Sequence, residues 1–135
     1  MATLYLALGT NLGDKEANLR IALKGIAERI GKVERVSRFL ATAPWGFESK
    51  HTFLNAACRV HTLLSPLEVL DATQALEREM GRTEKSVNGV YHDRIIDIDL
   101  LMYDNLRMDS ERLTLPHPRI QERDFVRLPL QEVLD

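Results

Sequence analysis

The stretch "DRIIDIDLLMYD", residues 93–104, holds two carboxylates inside a dense apolar run. Successive side chains of a β-strand point to opposite faces. Asp97 and Asp99 would therefore share one face, while Ile96, Ile98 and Leu100 take the other. A rise of ~3.3 Å per residue sets the two aspartates roughly 6–7 Å apart at the backbone. Like charges at that spacing repel unless a cation lies between or beside them. Residues 95–103 are expected to form a strand, and its pair of carboxylates needs a chemical reason.

Working outward from that strand, the rest of the chain alternates in type. "TLYLALG" (3–9) reads as a strand, followed by a turn in which Asp14 is a candidate N-cap. Leu19, Ala22, Leu23, Ile26 and Ile30 then recur at helical spacing up to Gly31, which reads as the helix stop. "VERVSRFLA" (33–41) reads as a second strand and "FLNAACRVHTLL" (53–64) as a third. In "SPLE", Ser65 is the N-cap, Pro66 the first helical residue and Glu68 the partner in a capping box. The helix that follows carries Leu67, Leu70, Leu76 and Met80 before Gly81. The polar stretch 82–93 reads as a loop, and the tail with "LPHPRI" and "RLPLQEVL" as short strands and helical turns. The order βαββαβ plus a tail predicts an α+β, ferredoxin-like domain over residues 1–135. Its antiparallel sheet would carry two helices on one face and leave the other open.

The chain has 135 residues, enough for one domain with a core. Its apolar runs fall short of the ~20 residues that span a bilayer, and no secretory leader is expected. The single Cys58 fits a reducing cytoplasm. A formal net charge of −2 argues against a general nucleic-acid binder. Basic residues nevertheless crowd the second half: Arg82, Lys85, Arg94, Arg107, Arg112, Arg119, Arg123 and Arg127. A local anion site is expected there.

Aspartate is a short, hard oxygen ligand, suited to Mg²⁺ shared with substrate phosphates. On an open sheet face the same pair would simply be solvated. Arg94 just before the strand, with Arg82 and Lys85 in the loop, favours a metal–phosphate site, because phosphoryl transfer uses cations beside a metal pair. "GTNLGDK" lacks the spacing of a Walker loop, so phosphates would be held by side chains and metal. His117, between two prolines, either aims its ring at a phosphate or ribose or is merely exposed. His51, His61 and His92 make no zinc spacing with Cys58, which reads as a small core residue. In "TAPWGFESKHTFLNAA", Trp45, Phe47, Phe53 and Asn55 either sandwich a planar heterocycle and read its edge or anchor a loop on the core.

Taken together, "LALGTNLGDKEANL", "TAPWG", "FLNAA", "LEREMGR", "RIIDIDLLMYDN" and "LTLPHPRIQERDFVRLPL" resemble the hydroxymethyldihydropterin pyrophosphokinase family of the folate pathway, nearly end to end. The resemblance implies transfer of pyrophosphate from ATP to the hydroxymethyl group of a reduced pterin by a monomeric cytoplasmic enzyme. It implies that Asp97 and Asp99 ligate two Mg²⁺ ions, and that Arg82 and Arg94 act on the phosphates. Phe53 and Phe125 would sandwich the pterin, Asn55 would bond its edge, and Thr42, Ala43 and Trp45 would line its pocket with Asp97. Gln74, Glu77, Lys85, Arg94, Leu100, Arg112, Thr114, His117 and Arg123 match nucleotide contacts. The chain departs from the family in one loop. "YHDR" (91–94) replaces a Trp-Gly-Pro-Arg-like run, Thr83 and Glu84 stand where a further arginine is expected, and Val90 fills a usually basic position. A ferredoxin-like module that binds nucleotide or pterin without chemistry is the alternative, with a purely structural subunit behind it.

Overall fold

Residues 1–42, 52–81 and 95–134 are described by a computed structural model of the chain. Expectations for Ala43, Trp45, Phe47, Arg82, Lys85, Arg94 and the loop 82–93 therefore lie outside the described residues.

The fold is α+β, built on an antiparallel sheet. β1 (Ala2–Thr10), β2 (Gly31–Val36), β4 (Phe53–Thr62) and β5 (Asp97–Tyr103) are arranged in the order β2-β4-β1-β5. β3 (Leu40–Thr42) pairs with the free half of β4, end to end with β2. α1 (Lys15–Arg29) links β1 to β2, and α2 (Pro66–Glu79) links β4 to β5. The tail forms a two-stranded ribbon, β6 (Met108–Asp109) and β7 (Thr114–Leu115), then α3 (Asp124–Val133).

Both faces of the sheet are packed. On one, Leu4, Leu6 and Leu8 of β1, Cys58 and Val60 of β4, and Ile98 and Leu100 of β5 meet Leu19, Ala22 and Ile26 of α1 and Val69 and Leu76 of α2. On the other, Ala7, Ala57 and Leu101 meet Ile120 and the α3 residues Val126, Leu130 and Val133. The expected open face is thus partly covered. Alanines at 7 and 57 give a helix room to approach the sheet, and the amphipathic tail supplies it.

Several local expectations changed for identifiable reasons. The expected strand 33–41 is broken at Ser37, whose Oγ accepts the Ala57 N–H at 2.8 Å while its own N–H donates to Ala57 O at 2.8 Å. A side chain thus takes over one rung of the ladder. Gly31 starts β2 instead of capping α1, and a Cβ there would lie 2.0 Å from His61 O. Close strand approach is what requires the glycine. α2 has the expected capping box, but buries Val69, Thr73, Leu76 and Glu77, whereas Leu67 is exposed. β5 carries a bulge: Leu6 pairs with Leu100 and Tyr5 with Met102, leaving Leu101 as the extra residue. The bulge lets Leu101 and Met102 both serve the α3 side.

Candidate active site

Strand register brings the acidic pair to a definite place. Asp97 is opposite Gly9, Gly9 opposite Asn55 and Asn55 opposite Leu40, so the four form one row across β5, β1, β4 and β3. The next row is Asp99, Ala7 and Ala57. Alternation gives Phe53 and Thr42, which are paired with each other, the same face. This is the face on which α3 packs. Both aspartates are half-buried.

Gly9 clears the floor of this row. A Cβ on it would meet Asn55 Oδ1 at 3.0 Å and the Phe53 ring at 3.7 Å, so these two side chains lean over β1. Asn55 is 4% exposed. Its Nδ2 donates to Thr42 Oγ1 at 2.8 Å and reaches Leu40 O at 3.4 Å. The amide is thereby fixed with Oδ1 turned over Gly9. Thr42, expected as a pocket lining, orients the amide through its hydroxyl. Phe125 is in the first turn of α3 and packs against the cluster of Ala7 and Ala57, with the Arg123 guanidinium 5.7 Å from its ring centre.

Other expected contacts among the described residues lie on α2, on β5 and in the tail. Glu77 is buried, and its Oε2 accepts the Ile98 N–H at 2.7 Å, at the residue between the two aspartates. Arg112 joins Asp71 at 2.6 Å and Gln74 at 3.4 Å, bringing the tail to α2. Thr114 lines a groove of about 310 Å³ with Arg107, Met108, Asp109, Leu115 and Pro116. The Leu100 side chain is in the helix-side core, so only its backbone is open to a ligand. His117 is tied to β5 by its N–H to Leu101 O at 2.9 Å, and its Nδ1 accepts the Arg119 N–H at 3.2 Å. Burial first, then the Arg123 and Arg119 charges, holds the imidazole below its ordinary pKa, against the opposing pull of Asp97. Its neutral form is favoured.

Among the described residues no group of three or more His, Cys, Asp or Glu is placed to enclose a metal. Two hard carboxylates on one strand face suit Mg²⁺, which takes one or two protein carboxylates and completes its octahedron with water and substrate phosphates. Reading the sequence missed Gly9 and Asp71. An isolated glycine inside a strand is a sign of close backbone approach, so Gly9 had a usable signal. Asp71 had none, because its partner Arg112 is 41 residues away.

The family model that matches the chain is that of 7,8-dihydro-6-hydroxymethylpterin-pyrophosphokinase (HPPK), over residues 5–135. A 2-amino-4-hydroxy-6-hydroxymethyldihydropteridine pyrophosphokinase of Porphyromonas gingivalis is 52% identical over 98% of this chain and 91% of its own length. One from Bacillus subtilis is 40% identical over 96% of this chain and 76% of its own. A crystal structure of an HPPK-DHPS in complex with substrates aligns with a TM-score of 0.76 at 16% identity, which speaks for the fold alone. That alignment covers 98% of this chain but 40% of the solved one.

Proposed function

The chain belongs to the 7,8-dihydro-6-hydroxymethylpterin-pyrophosphokinase family, and from that premise we propose that it transfers the pyrophosphoryl group of ATP to 6-hydroxymethyl-7,8-dihydropterin in folate biosynthesis. The hydroxymethyl oxygen attacks the β-phosphorus of ATP and its proton passes to solvent, while the bond from that phosphorus to the α–β bridging oxygen breaks and AMP leaves with its electron pair. The pterin diphosphate keeps both transferred phosphates.

The observation that carries this reading is the row Asp97–Gly9–Asn55, with Phe53 beside it and α3 bringing Phe125 to the same face. Gly9 leaves space for a flat ring. Asn55 presents an oriented amide to the edge of a pterin, whose amino and oxo groups form a donor–acceptor pattern. Phe53 and Phe125 supply aromatic faces for stacking. Asp97 and Asp99 would hold Mg²⁺, which when bound would supply positive charge to offset that of the phosphates. Lodging both carboxylates on a hydrogen-bonded strand fixes their separation, and Glu77 steadies the outer side of that strand through Ile98. Gln74, Arg112, Thr114, His117 and Arg123 take the nucleotide along the β5 edge, where neutral His117 donates a hydrogen bond without adding charge. Arg82, Lys85 and Arg94 act on the phosphates. With Ala43 and Trp45 of the pocket lining, they are carried over from the family resemblance.

The strand order and the βαββαβ succession support a ferredoxin-like sheet extended by β6, β7 and α3, forming one pyrophosphokinase domain over residues 1–135. We place the enzyme in the cytoplasm as a monomer. No described helix is long and apolar enough to cross a membrane. Incubation with ATP, Mg²⁺ and hydroxymethyldihydropterin, with separation of the nucleotide products, tests the reaction: AMP is expected, and ADP would contradict it.

A further inference from the structure

α3 is fastened at its C-terminal end from three directions. Arg59 on β4 donates through Nη1 to the Val133 carbonyl at 3.2 Å. The Arg38 N–H donates to Glu132 Oε1 at 2.9 Å, and the Tyr5 hydroxyl reaches Leu134 O at 3.5 Å. Arg59 is itself held. Its Nε donates to Glu34 Oε1 on β2 at 3.1 Å, and His61 Nε2 stands 3.0 Å from the same oxygen. The Arg59 and Glu34 side chains are only 21% and 26% exposed. α3 has no basic residue in its last turn, so Arg59 also supplies the cation that a helix carbonyl end favours.

The other end of α3 is held differently. Arg123 at the N-cap makes no side-chain capping bond. Pro129 has no N–H to offer the Phe125 carbonyl four residues earlier, which loosens the turn that bears Phe125. Burial of Val126, Leu130 and Val133 presses the helix onto the sheet, but burial is non-directional. It resists lifting far more than sliding or rotation. A rotation of one residue step, about 100°, would carry the Phe125 ring off the slot. Directional bonds are what resist that motion, and Arg59, Arg38 and Tyr5 supply them at the C-terminal end.

We infer that Arg59, anchored by Glu34, is a positioning residue for the pterin: it sets the rotation and slide of α3 and thereby the place of Phe125. Arg59 is six positions along β4 from Phe53, about 20 Å, and acts through the helix. The inference rests on the pterin reading of Phe53, Asn55 and Phe125.

The test is a double-mutant cycle on the full chain, reading binding of 6-hydroxymethylpterin by fluorescence with Mg²⁺ and a non-hydrolysable ATP analogue present. Arg59→Met keeps the apolar stem and removes the donors. It is expected to weaken pterin binding about 3- to 10-fold, leave the nucleotide analogue within about twofold, and add nothing once Phe125→Ala is present. Glu34→Ala, which frees the guanidinium instead of removing it, is expected to behave in the same direction and serves if Arg59→Met does not fold. Normal pterin binding by the folded variants, parallel losses for both ligands, or additivity with Phe125→Ala would each overturn the inference. Should Phe125→Ala itself bind pterin normally, the pterin reading of the site falls first.

Discussion

Asp97 and Asp99 face the same way on a half-buried strand, with Gly9 and Ala7 as their neighbours on β1. Replacing either by alanine removes one of the two carboxylates proposed to hold Mg²⁺. Asp97→Ala and Asp99→Ala are expected to fold with little loss of stability while Mg²⁺-dependent AMP formation falls by orders of magnitude. Near-normal turnover in either would remove the metal assignment. The stacking pair gives a second residue-scale expectation. Phe53→Ala should weaken pterin binding by about 1–3 kcal/mol, on the scale of base–aromatic stacking, with ATP affinity little changed. Gly9→Ala adds a Cβ at 3.0 Å from Asn55 Oδ1, so the amide must move, and pterin affinity should fall while nucleotide affinity holds. Equal loss for both ligands would indicate a packing role alone.

At the scale of elements, the edge strand β5 is the piece on which the proposed chemistry depends, and α2 holds it through the packing of Val69 and Leu76 and through the Glu77 carboxylate. Glu77→Ala strands the buried Ile98 N–H, and the expected loss of stability is about 1–3 kcal/mol in denaturant unfolding, with turnover falling too. Glu77→Gln keeps an acceptor oxygen and should recover most of that loss; an equal loss for both would point to the charge instead. Glu77 also shows why the α2 face was misread. A glutamate at a core position looks like a break in the apolar period, and its partner, a backbone N–H of another element, has no trace in the local sequence. The Ser65–Glu68 capping box was legible because both partners are three residues apart. The break at Ser37 was not, because the bond that makes it is to Ala57. The same distinction governs α3. The tail was expected only as short strands and helical turns, and the seat of α3 on the second sheet face depends on Ala7 and Ala57 from two other strands.

Over the whole molecule, the fold follows from periods that the chain displays openly, and the candidate site from register between strands that it does not. Asp97 and Asp99 announced themselves by their spacing, whereas the row linking Asp97 to Asn55 through Gly9 exists only after β1 pairs with both neighbours. Stability should carry a pH signature of this assembly. His117 is held below the usual imidazole pKa by burial and by Arg123 and Arg119, so the folded chain binds fewer protons there than the unfolded one. Its contribution is intact above about pH 6.5 and is lost as pH falls through the lowered folded value. His117→Gln should flatten that part of the stability–pH curve; an unchanged slope would mean that His117 titrates as if exposed. The proposed reaction differs from an ordinary kinase reaction in which phosphorus is attacked, and one product analysis decides between them. With ATP carrying ³²P at the β-position, Mg²⁺ and 6-hydroxymethyl-7,8-dihydropterin, the label is expected to move to the pterin and to leave unlabelled AMP as the nucleotide product. Label retained in ADP, or no transfer at all by folded protein, would contradict it.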